Sequence, residues 1–327
     1  MKPGLLEILA CPECAADLEV SAARGSGGEI ESGTLRCAGC GRAYPIVRYV
    51  PRFVAADNYA ASFGLQWNRF RRTQLDSHTG VPISRERLLA STEWRPGHVD
   101  GARVLDVGCG AGRFTEVSLA LGAAVVALDY STAVDACWDN LAPHPRLDVV
   151  QGDIYKLPFK PAVFDHVYCL GVLQHTPDVK QAFLRLPGPL RPGGSLAVDV
   201  YAKLPLNRWW PKYWLRPITR RMKAPVLFRL VERLVPLLLP ISDALATIPR
   251  VGRKLRWMVP VANHRLDYPE LSRAQIREWA VLNTYDMLAP AYDSPQDAPT
   301  LEGWFREAGL RDVRVYRRGH LVGHAVR

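Results

Sequence analysis

From residue 102 to residue 201 the chain alternates short apolar runs with mixed stretches. Residues 104–107 and 124–128 are runs of strand length rich in Val, Leu and Ala, and 147–154, 163–169 and 190–200 repeat the pattern. Residues 114–121, between the first two, read as a helix that Gly122 ends. Near the C-terminus, residues 301–309 place apolar side chains on one helical face before Gly309, and 313–316 and 321–326 predict two strands about Gly319. Upstream, Phe63, Trp67 and Phe70 stand at helical spacing within residues 59–76, which predicts a helix with an aromatic face.

A length of 327 residues predicts about two domains. An apolar share of 48%, with nine Trp, twelve Tyr and nine Phe, belongs to a globular chain and excludes a disordered one. The first residues carry one Lys, an apolar run broken by Glu7 and no small-residue cleavage site, so they do not read as a signal peptide. No run of about 18 apolar residues predicts a spanning helix. A cytoplasmic location is the expectation. Seven cysteines are too few and too unevenly placed for a disulfide scaffold, which leaves metal ligation or burial.

Cys11 with Cys14, and Cys37 with Cys40, form two C-x-x-C pairs separated by 22 residues. Zn²⁺ takes four soft ligands in a tetrahedron, and each C-x-x-C turn presents two thiolates from one knuckle. Gly41 and the Gly-rich residues 24–33 suit a knuckle and a hairpin tip. A redox dithiol is the alternative, but it needs only one pair inside a βαβ unit. Four cysteines leave no coordination position open, so the zinc predicted is structural. In residues 9–12, 44–46 and Pro51 the segment also resembles the short zinc-ribbon modules that precede or accompany methyltransferases. Such a module is either a docking surface or a small folded cap.

Gly108, Gly110 and Gly112 fill the turn after the first strand, and Asp129 ends the second. Glycines there let backbone approach a ligand, and the acid can take both ribose hydroxyls, which predicts a nucleoside site. The dinucleotide fingerprint would put its third glycine at Arg113. The chain instead reads Asp106-x-Gly108-x-Gly110-x-Gly112, and a carboxylate two residues before the first glycine repels a pyrophosphate but suits an ammonium. This is similar to the first motif of the class I S-adenosylmethionine-dependent methyltransferases, and later motifs keep that register to residue 201. The resemblance implies an α/β fold: a doubly wound, seven-stranded, Rossmann-like sheet of order 3-2-1-4-5-7-6, here with a zinc ribbon before it. It also implies Asp106, Gly108, Gly110 and Gly112 at the methionine moiety of S-adenosylmethionine, Asp129 at the ribose and Asp153 at the adenine. Ile154 and Leu170 are further cofactor contacts.

Methyl transfer from a sulfonium asks mainly for alignment and exclusion of water, and a hydroxyl acceptor gains from a general base. His175, after the fourth strand, is the first candidate base; the alternative is that it only shapes its loop. His264 and Asp267 come second, with no spacing argument for them. Residues 169–172 lack the Pro-Pro-aromatic sequence typical of base-nitrogen methylation. Cys169, with Cys109 and Cys137, reads as a small buried residue rather than a nucleophile. Residues 62–70 resemble a lid segment in methyltransferases of glycans and secondary metabolites, with Gln66, Trp67 and Arg69 covering cofactor or substrate; plain packing is the alternative.

The formal charge of +10 sits in one place. Residues 201–260 hold thirteen Lys and Arg, Arg208 among them, against Glu232 and Asp243, a net +11 that leaves −1 for the rest. The same insert holds four of the nine tryptophans and the apolar run 225–240. Three readings stand open: a helical substrate lid with a solvated basic face, a helix lying peripherally on the inner face of an anionic membrane, and an RNA surface. The expected organisation is a zinc ribbon in 1–55, a helical lid or linker in 56–100 and a methyltransferase domain in 101–327. The expected function is O-methylation of a sugar, glycan precursor or other small metabolite, free or lipid-linked. An RNA methyltransferase and a non-enzymatic zinc-ribbon adaptor are the alternatives, and the oligomeric state stays open.

Overall fold

The computed structural model describes residues 1–55, 57–204 and 209–327, so Arg208 lies outside the described residues. A one-turn helix α1 (Pro3–Leu6) precedes four strands, β1 (Leu18–Arg24), β2 (Ser32–Cys37), β3 (Ala43–Val47) and β4 (Val50–Pro51), which form an antiparallel sheet in sequence order. Helices α2 (Ala61–Arg69), α3 (Asp76–Thr79) and α4 (Ile83–Thr92) follow. Alternation then begins: β5 (Arg103–Val107), α5 (Arg113–Ala120), β6 (Ala124–Asp129), α6 (Ala133–Leu141), β7 (Leu147–Gln151), β8 (Phe164–Leu170), α7 (Val179–Arg185) and β9 (Leu190–Val200). The insert contributes α8 (Pro211–Thr219), α9 (Ala224–Ala246) and α10 (Gly252–Leu255). The chain closes with α11 (Arg273–Leu288), α12 (Ala298–Glu307), β10 (Arg311–Arg318) and β11 (His320–Val326).

The second sheet runs β10-β11-β9-β8-β5-β6-β7. Numbered from β5 and read from the β7 edge, this is the expected order 3-2-1-4-5-7-6. Strands β5 to β9 pair in parallel, and β11 runs antiparallel to both β9 and β10. Two departures from the sequence pattern have local causes. The run 147–154 is strand only to Gln151, because the Asp153 carboxylate accepts from the Tyr155 N–H at 2.9 Å and turns the chain. Helix α9 continues through Pro236 and Pro240, which from sequence punctuate the run. Each proline frees a carbonyl four residues back, at exposed Glu232 and half-buried Pro236.

The ribbon covers the β7 edge. Arg52 bridges Gln151 in parallel, and the Phe53 N–H donates to the Gln151 carbonyl at 2.8 Å. Leu9 bridges Phe159, and the Ala10 and Lys160 N–H groups donate to Pro158 and Ile8 at 3.0 and 2.9 Å. One apolar cluster consequently runs from Leu5, Leu9, Leu35 and Ile46 of the ribbon to Leu105, Val167 and Leu196 of the sheet. A second, with Val104, Phe114, Val125 and Val134, fills the other face, as a sheet buried on both sides requires. The far edge, β10, is guarded by Arg311, Arg314, Arg317 and Arg318.

Leu9 is fully buried in the common cluster. Leu9→Ala is expected to destabilise the chain by about 2–5 kcal/mol. Tryptophan fluorescence and near-UV circular dichroism should move together in one denaturant transition; separate ribbon and sheet transitions would contradict a shared core.

Candidate active site and metal centre

Cys11 and Cys14 flank the turn before β1, Cys37 ends β2, and Cys40 follows it in the next turn. Their sulfurs all lie within 4.8 Å of one another, with Cys11 to Cys40 at 3.7 Å and Cys14 to Cys37 at 3.4 Å. A tetrahedron of zinc–sulfur bonds near 2.3 Å has sulfur–sulfur edges of about 3.8 Å, so the cluster has the size zinc needs. The Tyr44 hydroxyl stands 3.3 Å from Cys11 Sγ, and the Cys40 N–H donates to Cys37 Sγ at 3.3 Å. Such donors support thiolate charge. Cys109, Cys137 and Cys169 are buried away from the cluster.

At the turn from β5 to α5 the backbone is in close contact with what covers it. Gly108 has φ +82°, and a Cβ there would meet Val172 Cγ2 at 2.3 Å. Above Gly110 lies the Trp67 indole, 3.2 Å from where a Cβ would be. Helix α2 therefore sits on the glycine loop, brought close to α6 by Gly64, whose missing Cβ leaves room for Thr132 Oγ1. Of the three lid candidates, Trp67 lines the cavity below. Gln66 is buried and donates to Asp286 Oδ1 at 3.3 Å, and exposed Arg69 pairs with Glu232 at 3.5 Å.

The cavity has a volume of about 440 Å³ and is lined by Gly108, Gly110, Asp129, Ile154, Leu170 and His175 among others. The Asp129 carboxylate accepts from the Gly110 N–H at 2.9 Å and from the Ser131 N–H and hydroxyl at 2.8 and 2.7 Å. Burial pushes its carboxyl above the usual range. The other three expected cofactor residues are not among those that line it. Asp106, 1% exposed, lies beneath the loop and accepts from the Thr115 hydroxyl at 2.6 Å; burial pushes its carboxyl up to about 7. Gly112 caps α5 against Leu141 and Cys137, and Asp153 sits half-buried in its turn.

His175 occupies a single 3₁₀ turn and is buried between the Phe63 and Tyr201 rings, with centroids at 5.3 and 5.4 Å. Its Nδ1 lies 3.0 Å from the Tyr292 carbonyl oxygen. A carbonyl only accepts, so Nδ1 carries the hydrogen and Nε2 of the neutral ring keeps its lone pair. The same cavity gathers residues from far along the chain: Arg87, Arg113, Tyr201, His264, Tyr268 and Trp279. Arg87 donates to Asp199 at 2.7 Å, and Asp199 accepts from the Gly171 N–H at 2.5 Å. Burial pushes the Asp199 carboxyl up, but the Arg87 guanidinium outweighs it and holds the carboxyl below its usual range. Arg113, the first residue of α5, is held by Gln74 and Ser84 at 2.5 and 3.1 Å. Burial and the charge of Arg87 bring it down to about 10. His264 reaches the wall, while Asp267, 3.4 Å from its Nδ1, pairs with Arg256 at 2.8 Å behind it.

The insert forms one side of this cavity through Trp210, Lys212, Tyr213 and Trp257. Its basic face is not wholly solvated, contrary to the lid reading as first framed. Lys212, Arg216 and Arg256 are buried, the first two on Asp293 at 3.0 and 3.7 Å and the third on Asp267. Both acids follow residue 260, which is why a charge count inside the insert misses them.

Residues 105–198 match the family described as a methyltransferase domain, and residues 2–48 match the Trm112p-like protein family. A Synechococcus protein is 29% identical over 219 residues, covering 64% of this chain and 47% of its own length. The ubiquinone biosynthesis O-methyltransferase of Xanthomonas euvesicatoria pv. vesicatoria is 34% identical over 152 residues, 46% of this chain and 61% of that protein. The chain spans about half the length of the curated relatives it matches. The solved complex of the Haloferax volcanii Trm112 methyltransferase activator with a methyltransferase aligns over 83% of this chain and 97% of that chain, at 13% identity and a TM-score of 0.45. With the glycine motif, the seven-strand order and the cysteine cluster already in place, these two family matches mean that the chain carries a class I S-adenosylmethionine-dependent methyltransferase domain behind a Trm112-like zinc-ribbon module.

Proposed function

We propose that the protein transfers a methyl group from S-adenosylmethionine to a hydroxyl of a small acceptor with an apolar or aromatic body. One observation carries this: a single cavity has the glycine loop and Asp129 in one wall, and in others His175 and the rings of Tyr201, Trp257, Tyr268 and Trp279. S-adenosylmethionine supplies its methyl on a positively charged sulfur, which needs alignment more than activation. Gly108, Gly110 and Asp129 are suited to its backbone-approaching and ribose ends, with Ile154 and Leu170 packing alongside. Arg113, which has no carboxylate within 4.0 Å among the described residues, suits a carboxylate end. Asp106 and Gly112 flank the loop in sequence and Asp153 directly precedes Ile154, so all three stay beside the residues proposed to hold the cofactor. His175 Nε2 accepts the hydroxyl proton as the new O–C bond forms, and the Tyr292 carbonyl stabilises the resulting imidazolium at Nδ1. Trp67 and the insert exclude water.

The aromatic wall favours a flat, apolar acceptor, and the likeness to the Xanthomonas ubiquinone biosynthesis O-methyltransferase supports a quinone-like one. The glycan first expected has no such support. The Trm112p-like match favours a second, compatible reading in which the ribbon supports the domain it packs on through their common apolar cluster.

Asp129→Ala is expected to weaken S-adenosylmethionine binding at least about tenfold by calorimetry, the loss of charged hydrogen bonds being worth about 1.5–3 kcal/mol each. No binding by the unaltered chain would leave the non-enzymatic adaptor reading in place of this one. Methyl-labelled cofactor supplied with cell extract should put label into small, solvent-extractable molecules; label in RNA alone would overturn the acceptor class. In that assay His175→Gln should slow transfer roughly 10²- to 10⁴-fold with cofactor affinity unchanged, whereas an equal loss of affinity would mean that the ring only shapes its loop.

Asp106 generates a pH signature in the unliganded protein. Its carboxyl titrates near 7 when folded against 3.8 as the ordinary value, so folding takes up a proton between those limits. The stabilisation is complete below pH about 4 and fades as pH rises through about 7, by on the order of 4 kcal/mol. Asp106→Asn, which keeps the acceptor for Thr115, should gain stability relative to the unaltered chain as pH rises over that window. A constant difference in denaturation midpoint would contradict a buried, protonated carboxyl.

A further inference from the structure

Twelve of the sixteen large apolar side chains most exposed among the described residues belong to the insert, far more than its share of the chain. Their arrangement on α9 is ordered. Leu227, Phe228, Val231 and Val235 form its buried face, packed with α11 residues Val281 and Tyr285. Val226, Leu230, Leu234, Leu237 and Ile241 recur every four, four, three and four residues on a different face, and all are exposed, Leu237 at 68%. The helix thus has two apolar stripes, and the second, about 22 Å long, is exposed along its whole length. Ile248 and Val251 extend the exposed apolar series past the helix end.

Beside this stripe the charge is of one sign. Lys223, Arg229 and Arg233 are exposed on α9 or at its start, and Arg220, Arg221, Arg250, Arg253 and Lys254 at the segments flanking it. Glu232 is the sole exposed acid of α9, and it is engaged by Arg69. No helix among the described residues is long and apolar enough to cross a membrane, so a stripe of this kind can lie on a bilayer but not span it.

We propose that the outer face of α9 docks on an anionic lipid surface, its aliphatic stripe entering the headgroup boundary and its arginines facing lipid phosphates. Two other occupants fit less well. RNA would meet the cations but would desolvate nothing on a row of Val, Leu and Ile, and a second copy would set two strongly basic faces against each other. The insert also supplies Trp210, Tyr213 and Trp257 to the cavity wall, so docking brings that wall to the lipid. Neither Leu230 nor Leu237 lines the cavity, and so the docking surface and the methyl-transfer reading stand or fall separately.

The test is flotation of the full chain with vesicles of equimolar phosphatidylglycerol and phosphatidylcholine, and with phosphatidylcholine alone. Binding to the anionic vesicles should be at least about tenfold tighter than to the neutral ones and should weaken as salt rises from about 0.1 to about 1 M. Leu230→Gln with Leu237→Gln, and separately Arg229→Gln with Arg233→Gln, should each reduce it at least about fivefold while near-UV circular dichroism is unchanged. Absence of flotation, equal binding to neutral vesicles, or indifference to both double variants would overturn the proposal. So would retention of RNA, or self-association, lost in those same variants without any effect on vesicles.

Discussion

An unpaired edge on a parallel sheet leaves a row of backbone donors and acceptors that something must satisfy. Here the edge is β7, and its closure connects the cysteine-bearing sheet to the strand end beside the cavity. Residues 52 and 53, which pair with Gln151, directly follow β4, and β4 pairs with β3, whose hairpin with β2 carries Cys37 and Cys40 at its turn. On the inner side, the fully buried Gln151 accepts from Arg52 Nη1 at 3.0 Å and donates to the Tyr130 carbonyl at 3.2 Å, one residue beyond Asp129. The ribbon is thereby linked through one buried side chain to the strand end that carries Asp129.

Charge is sorted by the same economy of partners. Cations with an acid inside the fold, such as Arg87 on Asp199 and Lys212 on Asp293, are drawn in and fix distant segments to each other. Arg113 is instead held by neutral Gln74 and Ser84 at the cavity, and cations such as Arg229 and Arg233 are left at the surface of α9. Breaking an internal pair leaves a buried charge uncompensated, whereas removing a surface arginine costs the fold little. One excess of +11 therefore contains two populations with different physical duties.

What the sequence makes legible is what neighbouring residues decide. The strand, glycine turn and helix from Arg103 to Ala120 are dictated by hydrophobic run, backbone freedom and capping, all within eighteen residues. The cysteine pairs are equally local, since each knuckle is a four-residue turn. The acceptor side of the cavity is different. Asp199 and Arg87 are 112 residues apart, and Trp279 donates to the Thr73 carbonyl across 206. No periodicity brings His264 to Gly108. Asp106 illustrates a subtler limit: its spacing to the glycines is unmistakable, but only packing reveals that its carboxylate is buried and bonded to Thr115 and Tyr168. The length of α9 was obscured for the opposite reason, because Pro236 and Pro240 speak for a break that exposure to water makes unnecessary.

The bond from His175 to residue 292 has one property that side-chain partners lack. Its acceptor is a main-chain carbonyl, so no amino-acid exchange at position 292 deletes it. The ring's proton arrangement is thereby insulated from point substitution at its partner, and drift in sequence along the segment after α11 leaves it intact so long as the chain's path holds. Insertion or deletion of a residue between α11 and α12 is another matter, because it shifts every carbonyl in the segment. For this histidine, the length of a loop is the heritable quantity, and its composition is free to vary.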